Sequence, residues 1–292
     1  MGRISSDREI TAPLDVEALR AGWAAKGEER PRLHARLALG ARTDMGRVRE
    51  NNEDKFEFLE PDEPAVLATR GRFYAVADGM GGHQAGQIAS ELALKTVFRA
   101  YYAERAPDVG ESLKRAVAEA NRYLLDVARM IPERSGMGTT LTGAVVREDE
   151  LFVVQIGDSR CYLLRDRRME QVTEDHSWVQ EQVSRGAMTL EEAETSPFRN
   201  VITRSLGAAP EVEPDLFAIK LEPGDRVLLC SDGLTGMVDD GELFEIMGEG
   251  SASVAAWNLV DRAVENGGKD NVTVLVFDVR AIEPWEPEAT GR

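Results

Sequence analysis

Four short acidic stretches hold the residue types best suited to chemistry in this chain. They are residues 49–54 (RENNED), 78–83 (DGMGGH), 231–233 (SDG) and 269–271 (KDN). Apolar, β-type runs precede Asp78 and Asp232 and follow Asp270. Carboxylates at the ends of neighbouring strands can converge on one point, where several like charges need a cation. Because ligation by oxygen alone suits hard ions such as Mg²⁺ or Mn²⁺, the four stretches together indicate a two-metal site.

Each stretch by itself also fits an ordinary turn, since Asp-Gly and Asp-Asn pairs are frequent in turns. Six segments taken in order, however, closely resemble the PPM family of metal-dependent serine/threonine phosphatases (type 2C), in its compact bacterial form. These segments are 43–54, 78–83, 136–140, 157–160, 231–234 and 269–271. The resemblance extends over residues 37–279. Agreement of six motifs in one order favours a metal site over six unrelated turns.

The resemblance implies an α+β fold, in which a β-sandwich of two mainly antiparallel sheets is flanked by helices on both faces (α-β-β-α layers). The residue pattern agrees with this architecture. Helical spacing of apolar residues predicts helices over 84–104 and 111–130, and two further helices are expected over 241–247 and 251–265. Thr189 and Glu192 predict a capping box that opens a further short helix. Closely spaced apolar runs predict strands, favouring antiparallel pairing, over 139–146, 151–156, 160–164 and 272–279.

The acidic motifs run from Arg49 to Asn271, so one site must draw on both halves of the chain. We therefore expect a single phosphatase domain over residues 37–280. Residues 1–36 are expected to be an N-terminal extension with one helix and a polar linker, and residues 281–292 a loose tail. The apolar side of that helix would carry Leu14, Ala18, Leu19 and Trp23. A helix packed on the body, a loose arm and a docking segment remain open for this extension.

The composition narrows the function classes. A formal net charge of −17 over 292 residues repels nucleic acid and anionic membrane surfaces. Apolar runs are too short to span a bilayer, and the N-terminus lacks the apolar core of a signal peptide, so we expect a cytoplasmic protein and take it to be a monomer. Two cysteines, Cys161 and Cys230, permit a disulfide, but buried thiols fit a cytoplasmic protein better.

The family resemblance also assigns metal ligands. Asp78 would bridge two tightly bound divalent ions, Mn²⁺ or Mg²⁺. Glu53 and the Gly79 carbonyl would complete the protein ligands of one ion, and Asp232 and Asp270 those of the other. Two ions about 3.5–4 Å apart can share a water, lower its pKa and bind phosphate oxygens.

Asp54 and Arg49 complete the chemistry that the resemblance implies. Asp54 would orient metal-bound water from behind the ligands. Arg49 stands at the family spacing before Glu53, and a guanidinium can grip phosphate oxygens through two parallel hydrogen bonds. The alternative for Arg49 is a surface salt bridge.

Asp158 is an additional carboxylate in the segment 157–160. In bacterial relatives the matching aspartate binds a third, weaker metal ion together with the residue that matches Asp232. The alternative is a turn carboxylate that caps backbone amides. Arg160 is expected to support the turn formed by residues 157–159.

The motifs do not identify the general acid. Some family members carry a histidine directly after the Asp-Gly pair, where this chain has Met80, which cannot transfer a proton. His83 fits local packing better than catalysis, which leaves a metal-bound water as a candidate. His176 is interpreted as structural, because it matches a segment leading into the flap expected beside the site over residues 175–206.

These features predict hydrolysis of phosphoserine and phosphothreonine in proteins by a metal-activated water. Phosphorylated proteins, with bacterial serine/threonine kinases and their substrates foremost, are the expected partners. The alternative is a non-catalytic phosphoprotein-binding module or signalling adaptor on the same fold. Retention of Glu53, Asp78, Asp232 and Asp270 argues against such a decayed site.

Overall fold

Two antiparallel β-sheets form the centre of the molecule. The computed structural model describes residues 14–23, 29–82, 84–104 and 106–286. The first sheet has the strand order β1 (Leu33–Asp44), β12 (Val272–Pro284), β11 (Arg226–Cys230), β8 (Arg160–Arg165) and β9 (Arg168–Gln171). The second has the order β10 (Asp215–Lys220), β7 (Glu150–Ile156), β6 (Leu141–Arg147), β3 (Arg72–Ala77) and β2 (Lys55–Leu59). A short ladder pairs β4 (Gly79–Met80) with β5 (Gly138–Thr139).

Helices cover both outer faces of this sandwich. The long helices α3 (Gln84–Ala103) and α4 (Val109–Met130) pack on the second sheet, and α8 (Asp240–Met247) and α9 (Ala252–Glu265) pack on the first. Shorter helices are α1 (Val16–Trp23), α2 (Pro64–Thr69), α5 (Trp178–Ser184), α6 (Leu190–Thr195) and α7 (Asp232–Thr235). The predicted α+β fold with α-β-β-α layers is confirmed.

Apolar contacts hold the four layers together. Between the sheets, the rings of Tyr74 and Phe277 stack with centroids 4.9 Å apart. On the outside of the second sheet, α4 buries Leu113, Val117 and Leu124, the face that helical spacing predicts. Burying one large apolar side chain contributes about 1.5–3 kcal/mol, so these faces dominate the stability of the sandwich.

Most predicted elements appear within a few residues of their expected bounds. Helix α4 begins at Val109, because the Asp108 carboxylate caps it by accepting the Glu111 N–H at 2.7 Å. The capping box of Thr189 and Glu192 is present at α6. The strand predicted over 139–146 is divided at Thr140 into β5 and β6. The Thr140 N–H still donates to the Asp78 carbonyl at 2.9 Å, in register with the neighbouring pairs, but the Asp78 N–H donates to Thr140 Oγ1 at 2.9 Å instead of to its carbonyl.

The ends of the described chain join the body. Leu19 and Trp23 of α1 are buried, and the Trp23 ring lies 5.9 Å from that of Tyr102 on α3. Leu33 at the start of β1 pairs with Pro284 at the end of β12, so the sheet extends past residues 37–280 on both sides. Among the described residues, no helix combines the length and apolar character needed to cross a membrane.

Cys161 and Cys230 are buried free thiols, as predicted. Burial raises the pKa of both, and that of Cys230 to about 12. Neither thiol is therefore ionised near neutral pH.

Strand ends from both sheets meet at one edge of the sandwich. Antiparallel pairing sets the start of β2 beside the end of β3, and the end of β11 beside the start of β12. The same pairing sets the end of β7 beside the start of β6. All the predicted acidic stretches follow or precede these strand ends, so the fold gathers them at one place.

Candidate active site

Asp78 and Asp232 are neighbouring carboxyl groups at this edge. Asp78 follows β3 and Asp232 opens α7, and a hydrogen bond joins their side chains. Burial, and then the charge of Asp54, raises the pKa of Asp78 well above its ordinary range. Burial and the charge of Asp270 raise the pKa of Asp232. Carboxyl groups held this close must share protons or bind cations.

Gly233 allows Asp232 and Asp270 to approach. A Cβ on Gly233 would lie 1.9 Å from the carbonyl oxygen of Asn271, so only glycine lets the start of α7 abut the turn before β12. The sequence predicted that these two carboxylates share a site, and the structure brings them together.

Glu53 and the Gly79 carbonyl meet at the first turn of α3. A Cβ on Gly86 would lie 1.9 Å from Glu53 Oε2 and 2.8 Å from the Gly79 oxygen, so both oxygens flank one point. The Ser90 hydroxyl donates to the Glu53 carbonyl at 2.6 Å, which fixes the backbone here. Glycine at position 86 thus leaves room for the two oxygens that the family resemblance assigns to one ion.

Asp54 is buried behind these groups. Its Oδ2 accepts a hydrogen bond from the Ser231 hydroxyl at 2.6 Å, whereas its Oδ1 has no hydrogen-bond partner. Burial raises the pKa of Asp54 to about 7. Ser231 also accepts the Thr273 N–H at 3.0 Å, so Asp54 is tied to both strands that lead to Asp232 and Asp270.

Asp158 lies on the turn after β7, close enough to Asp232 for their charges to interact. It is 7% exposed, and its Oδ1 also lacks a hydrogen-bond partner. Burial, reinforced by the charge of Asp232, raises its pKa to about 8. A hydrogen bond of 2.7 Å between the hydroxyls of Thr140 and Ser159 links this turn to the Asp78 turn.

Thr139 and Thr140 position Asp78, a role that the sequence did not reveal. Thr140 Oγ1 accepts the Asp78 N–H at 2.9 Å, and the Thr139 hydroxyl donates to the Asp78 carbonyl at 2.8 Å. Both threonines belong to the segment 136–140, which resembles a family motif, and this resemblance was the only indication in the sequence that they contribute to the site. Side-chain to backbone bonds of this kind leave no periodicity in a sequence.

Arg49 reaches the site from the loop before β2. Its Nη2 donates to Asp270 Oδ2 at 2.6 Å, and this bond, more than any other cause, raises the pKa of Arg49. The side chain is 51% exposed. The alternative considered for Arg49 was a surface salt bridge. Arg49 does form a salt bridge, but its partner Asp270 is one of the carboxylates of the candidate site.

Arg160 was expected to support the turn at 157–159, and this prediction is wrong. Its guanidinium instead grips Asp175, with Nε 2.9 and 3.0 Å from the two carboxylate oxygens and Nη2 2.7 Å from one. The turn is held by His176, whose Nδ1 accepts the Gly157 N–H at 3.1 Å while Nε2 lies 3.0 Å from Asp215. Burial lowers the pKa of His176, so the structural interpretation of this histidine agrees with its contacts.

The flap over 175–206 contains α5 and α6, consistent with the expected loop with short helices. Phe198 is exposed on one side and packs on Trp178 on the other, with ring centroids 5.3 Å apart. Met80 lies on β4, next to the site. His83 lies outside the described residues.

The donor set suits hard divalent ions. The carboxylates lie where cations would relieve their mutual repulsion, and the unpartnered oxygens of Asp54 and Asp158 point to ligands that the protein itself does not supply. Among the described residues, no three His, Cys, Asp or Glu side chains are arranged to hold a metal ion unaided. Carbonyl and water ligands would therefore have to complete any coordination shell, as is usual for Mg²⁺.

The protein phosphatase 2C family model matches residues 47–262 of this chain. The chain belongs to this family. It is accordingly a metal-dependent protein phosphatase, and the resemblance found in the motifs is confirmed.

Curated and solved relatives agree with this membership. A serine/threonine phosphatase of Listeria monocytogenes is 37% identical over 244 residues, covering 81% of this chain and 94% of that protein. The crystal structure of Stp1 from Staphylococcus aureus, 34% identical, covers 87% of this chain and 99% of the other with a TM-score of 0.79. The catalytic domain of PstP, solved with two manganese ions, is 39% identical and covers 84% and 99% of the two chains with a TM-score of 0.73.

Proposed function

We propose that the clustered carboxylates form the catalytic centre, which hydrolyses phosphoserine and phosphothreonine in proteins with the help of two divalent ions, Mn²⁺ or Mg²⁺. The observation that carries the proposal is the convergence of Asp54, Asp78, Asp158 and Asp232, all with raised pKa values. Such an arrangement costs stability unless cations or protons neutralise it. A solved relative, PstP, holds two manganese ions in its catalytic domain.

The ligands follow the contacts. Asp78 would hold both ions, since it directly precedes Gly79 of one ligand group and its carboxyl group is hydrogen-bonded to Asp232 of the other. Asp158, with Asp232, would hold a third and weaker ion. When bound, the ions supply positive charge and lower the pKa of a water at the site.

Arg49 binds the phosphate in this proposal. A guanidinium carries five N–H donors, and the bond to Asp270 uses one of them. Its half-exposed position lets other donors grip two phosphate oxygens of an incoming ester. The Asp270 contact then holds the guanidinium in place before substrate arrives, which reduces the side-chain entropy lost on binding.

Asp54 acts from behind the ligands. Its Oδ2 is fixed by Ser231, so the unpartnered Oδ1 is held in one orientation and can accept a hydrogen bond from a water at the site. Met80 has no proton to give, so water supplies the proton for the departing serine or threonine oxygen.

The chain would oppose bacterial serine/threonine kinases by acting on these kinases and their phosphorylated substrates in the cytoplasm, as a monomer. The net charge of −17 repels phosphate at long range, so Arg49 and the bound ions would supply the local attraction for it. Substrate selection therefore depends on contacts near the site rather than on long-range attraction.

Turnover of p-nitrophenyl phosphate and of a phosphothreonine peptide tests the proposal. We expect hydrolysis with Mn²⁺ or Mg²⁺ and none after chelation. Asp232→Asn should lower turnover by orders of magnitude, whereas the control Asp261→Asn, which removes only a surface ion pair with Arg42, should not. Undiminished hydrolysis by a verified metal-free preparation, or normal kinetics of Asp232→Asn, would overturn it.

A further inference from the structure

We propose that a pocket beside the metal site binds an apolar side chain of the substrate, next to its phosphorylated serine or threonine. This inference rests on the proposed phosphatase function. The pocket has a volume of about 740 Å³. It lies between the C-terminal half of α4, the loop before β5, and residues 205–208, where the flap returns to the body.

The pocket begins one residue beyond the proposed ligands. Met80 lines it and directly follows Gly79, while Gly138 lines it from the paired strand opposite Met80. Consecutive Cα atoms are about 3.8 Å apart, so a residue flanking the phosphorylated one lies within reach of this wall. The pocket and the carboxylate cluster therefore serve one extended ligand.

The volume also fits a peptide better than a phosphate ester alone. Pockets of about 300–1,000 Å³ hold drug-sized ligands, and this cavity lies well inside that range. Gly138 allows this wall to lie against the returning flap, because a Cβ there would be 2.9 Å from the Leu206 carbonyl oxygen.

The walls select an apolar side chain. Leu125, Ala128 and Met80 supply apolar surface, and a methionine side chain adapts to ligands of different shape. Arg129, on the exposed rim, is the charged side chain among the lining residues and already pairs with Asp126 at 3.6 Å. The interior thus favours leucine, methionine or a similar residue over an acidic one.

A peptide series measures this preference. Phosphothreonine peptides carry glycine at each position from three before to three after the phosphorylated residue, and leucine is introduced at one position at a time. We expect leucine at one flanking position to raise kcat/KM about tenfold over glycine, the scale on which apolar pockets discriminate. The reference substrate is p-nitrophenyl phosphate, which has no flanking residue.

Two variants fill the pocket. Ala128→Trp fills it from α4, and Ser135→Trp fills it from an exposed loop position that tolerates a large side chain. Both should abolish the leucine preference while p-nitrophenyl phosphate turnover and Mn²⁺ activation stay unchanged. The control is Met130→Trp, on the same helix but 73% exposed and outside the pocket, which should keep the preference.

Two results would overturn the inference: equal kcat/KM for leucine and glycine peptides at every position of the wild type, or a leucine preference that survives in Ser135→Trp. Should Ala128→Trp misfold, Ser135→Trp decides alone. If the wild type hydrolyses p-nitrophenyl phosphate in a metal-dependent way but shows no leucine preference, only the pocket proposal is overturned. Absence of metal-dependent turnover in the wild type overturns the proposed function, and the pocket proposal with it.

Discussion

Asn271 holds the backbone of Glu53: its side-chain Oδ1 accepts the Glu53 N–H at 2.8 Å. Its Nδ2 donates to the carbonyls of Met45 and Asn51, both at 2.9 Å. Asn271 directly follows Asp270, so one buried amide ties the loop that carries Arg49 and Glu53 to the turn that carries Asp270. Two widely separated parts of the proposed ligand set are thereby positioned against each other.

Asn271→Ala should weaken metal binding as well as stability. Three part-buried backbone groups lose their partner, and each lost hydrogen bond costs about 0.5–1.5 kcal/mol. We expect a weaker Mn²⁺ affinity by titration calorimetry of the metal-free protein, and a lower melting temperature in chelator. Asn266→Ala is the control, because Asn266 bonds to Met237 away from the site. An unchanged Mn²⁺ affinity with a lowered melting temperature would make Asn271 purely structural.

The sequence predicted which acidic residues meet but not what holds them. The order of acidic motifs at strand ends matches that of a known family, and this match identified Asp78, Asp232 and Asp270. Asn271 and Thr140 act through bonds to backbone atoms of distant segments, and such bonds follow no spacing rule. The partner of Arg160 was mispredicted for the same reason. Arg160 binds Asp175, which lies on the segment after β9, and no spacing rule connects these two residues.

The layered fold was predictable for a different reason. The spacing of apolar residues in α4 and in the short strands shows which face of each element is buried. Because burial of apolar surface is the largest stabilising contribution, this spacing predicts the layers. The break between β5 and β6 was not predictable, because Thr140 is compatible with a strand and the ladder changes only where its Oγ1, instead of its carbonyl, accepts the Asp78 N–H. The pocket beside Met80 was equally hidden, since its walls come from three separate parts of the chain.

Arg49→Lys tests the phosphate contact. Lysine keeps the charge but loses the planar fork, and hydrogen bonds to charged groups are worth about 1.5–3 kcal/mol. We expect kcat/KM for a phosphopeptide to fall by about one to two decades, mainly through KM. Steady-state kinetics at saturating Mn²⁺ measure this. The control Arg36→Lys alters only a loose surface pair with Glu283. Equal kcat/KM for Arg49→Lys and wild type would remove Arg49 from the site.

The metal-free protein should lose stability as pH rises. Burial raises the folded-state pKa of Asp54 to about 7 and that of Asp158 to about 8, from an ordinary value of 3.8. Between those values the folded state binds more protons than the unfolded state, so the free energy of unfolding falls with rising pH. We expect a higher melting temperature at pH 5.5 than at pH 8.5 in chelator, and Mn²⁺ should reduce or reverse the difference by replacing the protons. A metal-free stability that rises over this interval would contradict the raised pKa values.

The variant Asp158→Ala tests whether Asp158 holds a third ion in addition to the two proposed ions. The charge of Asp158 interacts with that of Asp232, whereas Glu53 Oε2 and the Gly79 carbonyl meet at Gly86. Removal of Asp158 should therefore spare two tightly bound ions while lowering turnover and shifting activation to higher metal concentration. A third ion held by Asp158 and Asp232 would have the fewest protein ligands and should be the first lost on dilution.

If Asp158 only caps its turn, the variant should instead lose about 0.5–2 kcal/mol of stability, the usual cost of a lost cap, and keep its metal dependence. Asp158 does accept a hydrogen bond from its own backbone amide, but its buried Oδ1 has no partner within the protein, which favours the first outcome. Calorimetric Mn²⁺ titration gives the number of bound ions, and a melting curve in chelator gives the stability. Normal metal activation with a lowered melting temperature would end the third-ion assignment, whereas two remaining tight sites with shifted activation would support it.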